Sequence, residues 1–513
     1  MSQNKEQVIN HKNELFRGIW KIANELRGSI DGWDFKQYVL IFLFYRFLSE
    51  KFVNQCLQYN VNYLNLSDEE ATKDYKETFE QDLGYFIKPS QLFVNVVKNC
   101  DYNDNLNTDI ADIFENINKS FNERLKGIFE SIRLDDNRLG NTTKSKNEYL
   151  RRILKSINGI NFKSFSDHEI DIFGDAYEFL MAQYASAAGK SGGEFFTPQE
   201  VSKLLAKISL LNVKEDINHD LSVYDPACGS SSLLIQVYKQ LKDKSDVSFY
   251  GQEINHTTYN LSRINMFLHN VQYDMFDIEI GDTLFNDRFE KKKFDIIVSN
   301  PPYSTKWKAS TEPWLKTDPR FSPVGVLPPD SKADMAFVLH SLYHLDKNGI
   351  AAIVCFPGIF YRGGVESKIR SYLLESVEAV IQLPKNLFYG TSIDTCILVL
   401  NKNKKSNEVI FVDASNEFLS QPKQNKLSEQ NINKILELYQ NKDPESKLVK
   451  VVSHKEIEES DFNLSVKRYV ASNQEQEVID IDKLNQEVNE IETRVQSLRE
   501  SINEIVKKIT AKK

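Results

Sequence analysis

Asn300-Pro301-Pro302-Tyr303, placed directly after the apolar run Phe294-Asp-Ile-Ile-Val-Ser299, brings an amide, proline-fixed carbonyls and an aromatic face into four residues. Asn300 Oδ1 and the Pro301 carbonyl can accept the two hydrogens of an exocyclic amino group. Tyr303 can stack on the planar base that bears it. The preceding run is short and β-branched, as expected of a buried strand. Two prolines then end the strand and forbid a helix, so the chain leaves as a stiff, extended turn. The carboxyl end of a parallel strand is where open α/β sheets keep their ligands. Taken alone, the motif also fits a proline-stiffened strand exit with a structural Asn.

Three upstream segments weigh against that plainer reading. Val223-Tyr224-Asp225-Pro226-Ala227-Cys228-Gly229-Ser230-Ser231-Ser232 reads as a strand end, an acid, and small residues opening a helix, the form of a nucleoside-binding turn. It is not GxGxxG and no Lys follows, so a dinucleotide fingerprint and a P-loop are both excluded. Gly251-Gln252-Glu253 puts a carboxylate at the next strand end, where doubly wound folds hold ribose hydroxyls. Gly281-Asp282-Thr283-Leu284 follows a third strand. A single acid at a strand end is usually a cap. Four consecutive strands delivering Asp225, Glu253, Asp282 and Asn300 to one rim make a pocket.

The elements that must position this rim begin near residue 166, where strands alternate with helices. Expected strands are Leu221–Tyr224, Ser248–Gln252, Asp277–Ile280, Phe294–Ser299, Ile350–Cys355, Ala379–Leu383 and Cys396–Leu400, with helices such as Ser230–Leu241 and Thr257–Leu268 between them. That alternation predicts an α/β fold with a mostly parallel, doubly wound sheet. Residues 1–165 read as a helical domain: apolar spacing over His11–Leu26, a strongly apolar helix over Trp33–Phe52, and polar loops at Asp101–Asp112 and Asp135–Lys146. Residues 166–420 are the expected catalytic domain, and 421–475 a connecting segment with one helical stretch, Gln430–Tyr439. In 476–513, Ile481, Leu484, Val488, Ile491, Val495, Leu498, Ile502, Ile505 and Ile509 recur in steps of three and four. Such aliphatic heptads predict a coiled-coil-like helix in search of a helical partner.

The bulk composition sets limits. Hydrophobic content of 41% with 11% aromatics is that of a globular chain. The scattered cysteines, Cys56, Cys100, Cys228, Cys355 and Cys396, form no CxxC, which argues for free thiols, a cytoplasmic location and no structural metal site. The apolar run Tyr38–Tyr45 is too short to span a bilayer, and no secretory h-region opens the chain. A net charge of −9 is unusual for a protein that grips phosphates unaided. Lys306, Lys308, Lys316 and Arg320, in the loop after the Asn-Pro-Pro-Tyr turn, are candidate phosphate-facing cations, although such charges more often belong simply to a solvated loop.

The ordered rim resembles the S-adenosylmethionine-dependent amino-methyltransferases that modify adenine N6 in DNA. Gly193-Glu194-Phe195-Phe196-Thr197-Pro198 is similar to the family element that holds the methionine end of the cofactor, and its position upstream of Asp225 is that of the γ group. Over nearly its whole length the chain resembles the modification (M) subunit of type I restriction–modification systems. The carriers are Asp34-Phe-Lys-Gln-Tyr-Val, Phe44-Tyr-Arg-Phe-Leu-Ser-Glu, Asp171-Ile-Phe-Gly-Asp-Ala-Tyr-Glu-Phe-Leu, Ala333-Asp-Met-Ala-Phe-Val-Leu-His-Ser-Leu, Tyr361-Arg-Gly-Gly and Leu387-Phe-Tyr-Gly-Thr-Ser-Ile.

The resemblance implies catalysis by Asn300, Pro301, Pro302 and Tyr303 on an adenine flipped out of double-stranded DNA. It implies cofactor binding by Glu194, Phe195, Phe196, Thr197, Pro198, Asp225, Pro226, Ala227, Gly229, Ser230, Ser231, Glu253, Asp282, Thr283 and Leu284. It also implies a separate specificity (S) subunit reached through the C-terminal helix, two M chains per S, and an optional restriction (R) subunit. One departure stands out: Ser231 stands where the family usually has a second glycine; a Cβ there could crowd the cofactor or bar a positive φ, and a residue as small as Ser is expected to be tolerated. The rival readings are a self-contained adenine methyltransferase, a protein-glutamine N5 methyltransferase sharing Asn-Pro-Pro-Tyr, and an inactive scaffold that assembles a nuclease.

Overall fold

The computed structural model describes residues 16–20, 34–160, 172–188, 196–211, 220–241, 246–388, 393–422, 424–470, 489–500 and 502. The chain divides into two compact units, 1–470 and 471–513. The first holds one sheet, whose nine strands among the described residues are β1 (Leu221–Asp225), β2 (Val247–Glu253), β3 (Phe276–Ile280), β4 (Phe294–Ser299), β5 (Leu345–Cys355), β6 (Val377–Gln382), β7 (Cys396–Asn401), β8 (Glu408–Asp413) and β9 (Val449–Ser453).

Their spatial order is β3-β2-β1-β4-β5-β7-β6-β8-β9. Pairings β1–β2, β1–β4, β2–β3, β4–β5 and β6–β8 are parallel, while β7 enters antiparallel between β5 and β6 and β9 lies antiparallel on β8. The sheet is thus mostly parallel, as expected. From β1 the chain winds outward through β2 and β3, then returns to β4 on the other side. The crevice outside the carboxyl ends of β1 and β4 is therefore the switch point, the place where such sheets bind ligands.

Burial on both faces explains the unbroken apolar runs. In β4, Ile296 and Val298 join one core while Phe294 and Ile297 join the other; in β5, Ile350, Ala352 and Val354 alternate in the same way with Ala351, Ile353 and Cys355. The first core continues into the N-terminal helices. The helix Asp34–Gln58 buries Tyr38 through Tyr45, and its Phe44 and Phe47 meet Phe267 of the helix His256–Leu268 edge-on at 6.2 and 6.1 Å. Each such buried ring is worth about 1.5–3 kcal/mol.

All seven expected strands are present, and three expectations need correction. The sheet continues past residue 420, because β9 lies in the segment read as a connector, whose expected helical stretch Gln430–Tyr439 is present as the helix Glu429–Asn441. β9 is a five-residue edge strand with an exposed Lys450, which leaves little periodic signal. The expected loop Asp101–Asp112 becomes helical at Leu106, since Leu106, Ile110, Ile113, Phe114 and Ile117 form one buried stripe that outweighs the Asn and Asp content. The polar break at 135–146 ends in a helix start: Thr142 caps Ser145 N–H and opens the helix Thr143–Asn158.

In the second unit, residues 489–500 are helical, and Ile491, Val495, Leu498 and Ile502 are all exposed. The other heptad positions lie outside the described residues. No helix among the described residues is long and apolar enough to cross a membrane.

Candidate active site

Asn300 leaves the carboxyl end of β4 and meets the segment that precedes the helix Gln199–Leu211. Its Nδ2 donates to Thr197 Oγ1 at 3.0 Å, and its Oδ1 accepts from the Tyr303 hydroxyl. The Tyr303 ring sits edge-on to Phe388 at 6.4 Å. Tyr303 thus covers the acceptor expected to receive the base, so base entry requires its hydroxyl to move aside. The Pro198 carbonyl accepts from the Val201 and Ser202 N–H groups, which starts the helix just beyond Thr197.

A cleft at the switch point is lined by Phe196, Thr197, Asp225, Ala227, Cys228, Gly229, Ser230, Ser232, Leu233 and Asn300. The structure therefore brings the Thr197 segment, the Asp225 turn and the Asn300 turn together. Glu194 and Phe195 lie outside the described residues. Glu253 adjoins the cleft, its Oε2 accepting from Gly229 N–H at 3.1 Å and its Oε1 from Asn255 N–H at 2.8 Å. Burial raises its pKa, and these backbone donors oppose the shift. Gly229 has φ +51°, open to glycine at no steric cost.

Asp225 is fully buried, with Oδ1 accepting from Ala227 N–H at 3.0 Å and Oδ2 lacking any hydrogen bond of ordinary geometry. Desolvation pushes its pKa up to about 7, against the pull of the Ala227 N–H and the neighbouring Ser299 hydroxyl. An acceptor buried at a cleft and short of a donor is suited to a ligand ammonium or amino group.

Ser231 does adopt the strained conformation, with φ +62°. Its hydroxyl turns inward to hydrogen-bond Ser262 on the helix His256–Leu268, and its side chain does not line the cleft.

Asp282, Thr283 and Leu284 are not in the cleft lining. Asp282 Oδ1 caps Leu284 N–H at 3.0 Å, Thr283 Oγ1 donates to the Pro226 carbonyl at 2.5 Å, and Leu284 is core. Through Thr283 this segment braces the Asp225 turn from behind. Arg320, a candidate phosphate-facing cation by sequence, is 6% exposed and belongs to the same brace. It pairs with Asp318 at 2.6 Å and donates to the Thr283 and Leu284 carbonyls, both at 2.8 Å. It also lies 3.1 Å from His340 Nδ1. Burial pushes His340 well below the usual histidine pKa, so the ring is neutral and accepts from Arg320. Its proton is then on Nε2, donated to the Tyr224 hydroxyl at 3.1 Å. Lys306, Lys308 and Lys316 are exposed.

Among the described residues, two carboxylate–histidine clusters have metal-compatible spacing, Asp287 with His340 and His344, and Asp175 with Glu178 and His269. Each already contains a cation. Arg320 stands 3.9 Å from Asp287, and Lys239 stands 2.9 Å from Asp175. They read as buried ion networks rather than metal centres.

Sequence reasoning missed several supports. Asn265 donates to the Ser230 carbonyl at 2.9 Å, and Glu178 accepts from Ser232 Oγ at 3.2 Å and Gln199 Nε2 at 2.5 Å. Ile254, 65% exposed beside Glu253, offers an apolar face at the rim. The available signal was buried polar spacing, with Ser262 and Asn265 three apart on one helix.

The N-6 DNA Methylase family profile matches residues 168–478, and the HsdM N-terminal domain profile matches residues 15–157. The chain is 48% identical to the type I restriction enzyme MpnII methylase subunit of Mycoplasma pneumoniae, over 97% of this chain and 96% of that one. It is 31% identical to the MjaVII methylase subunit of Methanocaldococcus jannaschii, over 96% and 83% of the two chains. Among solved structures, the methyltransferase subunit of a type I restriction-modification system from Streptococcus thermophilus superposes with a TM-score of 0.81 at 36% identity, covering 90% of this chain and 99% of that one.

Proposed function

The chain belongs to the N-6 DNA methylase family and, by kinship over nearly its whole length, to the methylase subunits of type I restriction enzymes; on that premise we propose how its site works. It is an adenine-N6 DNA methyltransferase that acts as the modification subunit of a type I restriction–modification system, with sequence specificity supplied by a separate subunit. The fold and family are those of S-adenosylmethionine-dependent enzymes.

The cleft residues fit that cofactor. Asp225 Oδ2 is an unsatisfied buried acceptor for its amino group, Glu253 is placed for its ribose hydroxyls, and Ile254 offers an apolar face to its base. When bound, S-adenosylmethionine supplies an electrophilic methyl on a sulfonium.

The remaining work is done by the chain. Adenine N6 is a weak nucleophile because its lone pair is conjugated with the ring. Asn300 Oδ1 and the Pro301 carbonyl accept its two hydrogens, which favours a pyramidal nitrogen and aims the lone pair. This is catalysis by positioning and electrostatics. The adenine must first leave the duplex, at a cost of a few kcal/mol. Tyr303, once released from Asn300 Oδ1, recovers roughly 1–3 kcal/mol by stacking.

The observation that carries this reading is the convergence of Asn300, Thr197 and Asp225 on one cleft at the switch point. Asn300→Ala is expected to abolish methyl transfer while cofactor affinity stays within about threefold, because the amide is assigned to the adenine amine. Full methylation by that variant would sink the assignment.

Two further parts of the reading concern assembly. The exposed stripe Ile491, Val495, Leu498 and Ile502 docks on helices of the specificity subunit, and two modification chains serve each specificity subunit, with a restriction subunit optional. The net charge of −9 accords with a subunit that leaves part of the grip on DNA to its partner. The N-terminal helical module expected over residues 1–165 packs through the helix Asp34–Gln58 on the helix His256–Leu268 of the catalytic part, and 476–513 act as the docking segment.

A further inference from the structure

We propose that Thr197 is a positioning residue for the Asn300 amide, a role distinct from the cofactor contact that its segment suggests. The inference rests on Asn300 being the group that receives the adenine amine.

A carboxamide has one acceptor and one donor end, and rotation by half a turn about its last bond exchanges them. Only the orientation with Oδ1 toward the base is productive, since the opposite one would set an NH2 against the adenine NH2. A hydroxyl can receive the donor end of an amide or donate to its acceptor end, and here the donor end has such a receiver. Thr197 Oγ1 is that receiver, 3.0 Å from Nδ2. Thr197 is 8% exposed and Asn300 half-buried, so the bond between them is partly shielded from water and its loss is not fully replaced by solvent. The Tyr303 hydroxyl donates to the opposite end of the same amide, consistent with Oδ1 facing the base side.

The receiver is itself anchored. Two residues on, Gln199 Nε2 donates to Glu178 Oε2 at 2.5 Å, and the other oxygen of this fully buried carboxylate accepts from Ser232 Oγ at 3.2 Å. Glu178 stands in the stretch Asp171-Ile-Phe-Gly-Asp-Ala-Tyr-Glu-Phe-Leu, and through it that stretch holds the Thr197 segment against the Asp225 turn.

The test is single-turnover transfer of labelled methyl from S-adenosylmethionine to unmethylated plasmid DNA by the complex with the specificity subunit. Cofactor Kd is measured in parallel by calorimetry. Thr197→Val, nearly isosteric, should lower the transfer rate roughly 10- to 100-fold and leave cofactor Kd within about threefold. Thr197→Ser, which restores the hydroxyl, should recover most of the rate.

A Thr197→Val rate within threefold of the parent overturns the proposal. So does a defect confined to cofactor Kd, which would return Thr197 to cofactor binding. If the valine variant fails to fold, Thr197→Ala against Thr197→Ser gives the same comparison. Asn300→Ala serves as the reference: if it is active, the reading of Asn300 fails. If it is inactive while Thr197→Val is unimpaired, only the present inference fails.

Discussion

Asp225 should release a proton when the cofactor binds, and the structure sets the size and the pH window of that release. A carboxyl near 3.9 in an unfolded chain stands at about 7 here because burial disfavours its charge. The fold thus binds more protons than the unfolded chain between those values. This group's contribution to stability is fully present below about pH 4 and is lost as pH rises through about 7, roughly 4 kcal/mol in all at 1.36 kcal/mol per pH unit.

A ligand ammonium facing Oδ2 reverses the preference and ionises the group. About 0.9 proton should therefore leave per cofactor bound at pH 6. Near pH 8 Asp225 releases only about 0.1, and the ligand's own α-amino group, ordinarily about 7.7–8.0, takes protons up to bind as the ammonium. The affinity should rise nearly tenfold per pH unit below 7, level off, and fall again as the free ligand's ammonium deprotonates at about 8. Calorimetric titration of S-adenosylmethionine in buffers of different ionisation enthalpy reads the proton count directly. Asp225→Asn supplies the control, since it should bind more weakly and release none from this position. Equal proton release by parent and variant at pH 6 would mean that Asp225 is not the group that ionises.

Other consequences follow from the geometry around the cleft. Ser231→Gly removes the cost of φ +62° but also the hydrogen bond to Ser262, so thermal unfolding should show a net change within about 1 kcal/mol, with cofactor Kd unaltered. Arg320→Met strands the Asp318 carboxylate and the Thr283 and Leu284 carbonyls, and should cost about 3–5 kcal/mol in denaturant unfolding, far more than Lys316→Met on the exposed loop. Deleting residues 476–513 should abolish co-purification with the specificity subunit while cofactor binding survives; an unchanged complex would disprove the docking role.

The site's parts were legible where the signal is local. Phe294–Ser299 followed by two prolines can hardly be anything but a strand and a stiff exit, and the acids Asp225 and Glu253 announce strand ends by position. What stayed hidden depends on distant partners. Arg320 looked like a loop cation because its acceptors, Thr283 and Leu284, are 37 and 36 positions away and become neighbours only through the fold. Thr197 and Asn300 are 103 positions apart, so no spacing rule could reveal that one orients the other. Strand order is hidden for the same reason, since nothing in Cys396–Asn401 states that it enters antiparallel between β5 and β6. Ser231 shows a limit of residue type: its positive φ is borne because a serine hydroxyl finds Ser262 in the interior.

Whether this chain methylates adenine in DNA, and does so only with a partner, is decided by transfer of labelled methyl from S-adenosylmethionine to unmethylated DNA. The chain alone is compared with the chain plus its specificity subunit, followed by nucleoside analysis. Label is expected on adenine N6 only when the specificity subunit is present, and none from Asn300→Ala in the same complex. Adenine label from the chain alone would contradict its dependence on a partner, and label on a protein amide rather than DNA would contradict the assignment of the substrate.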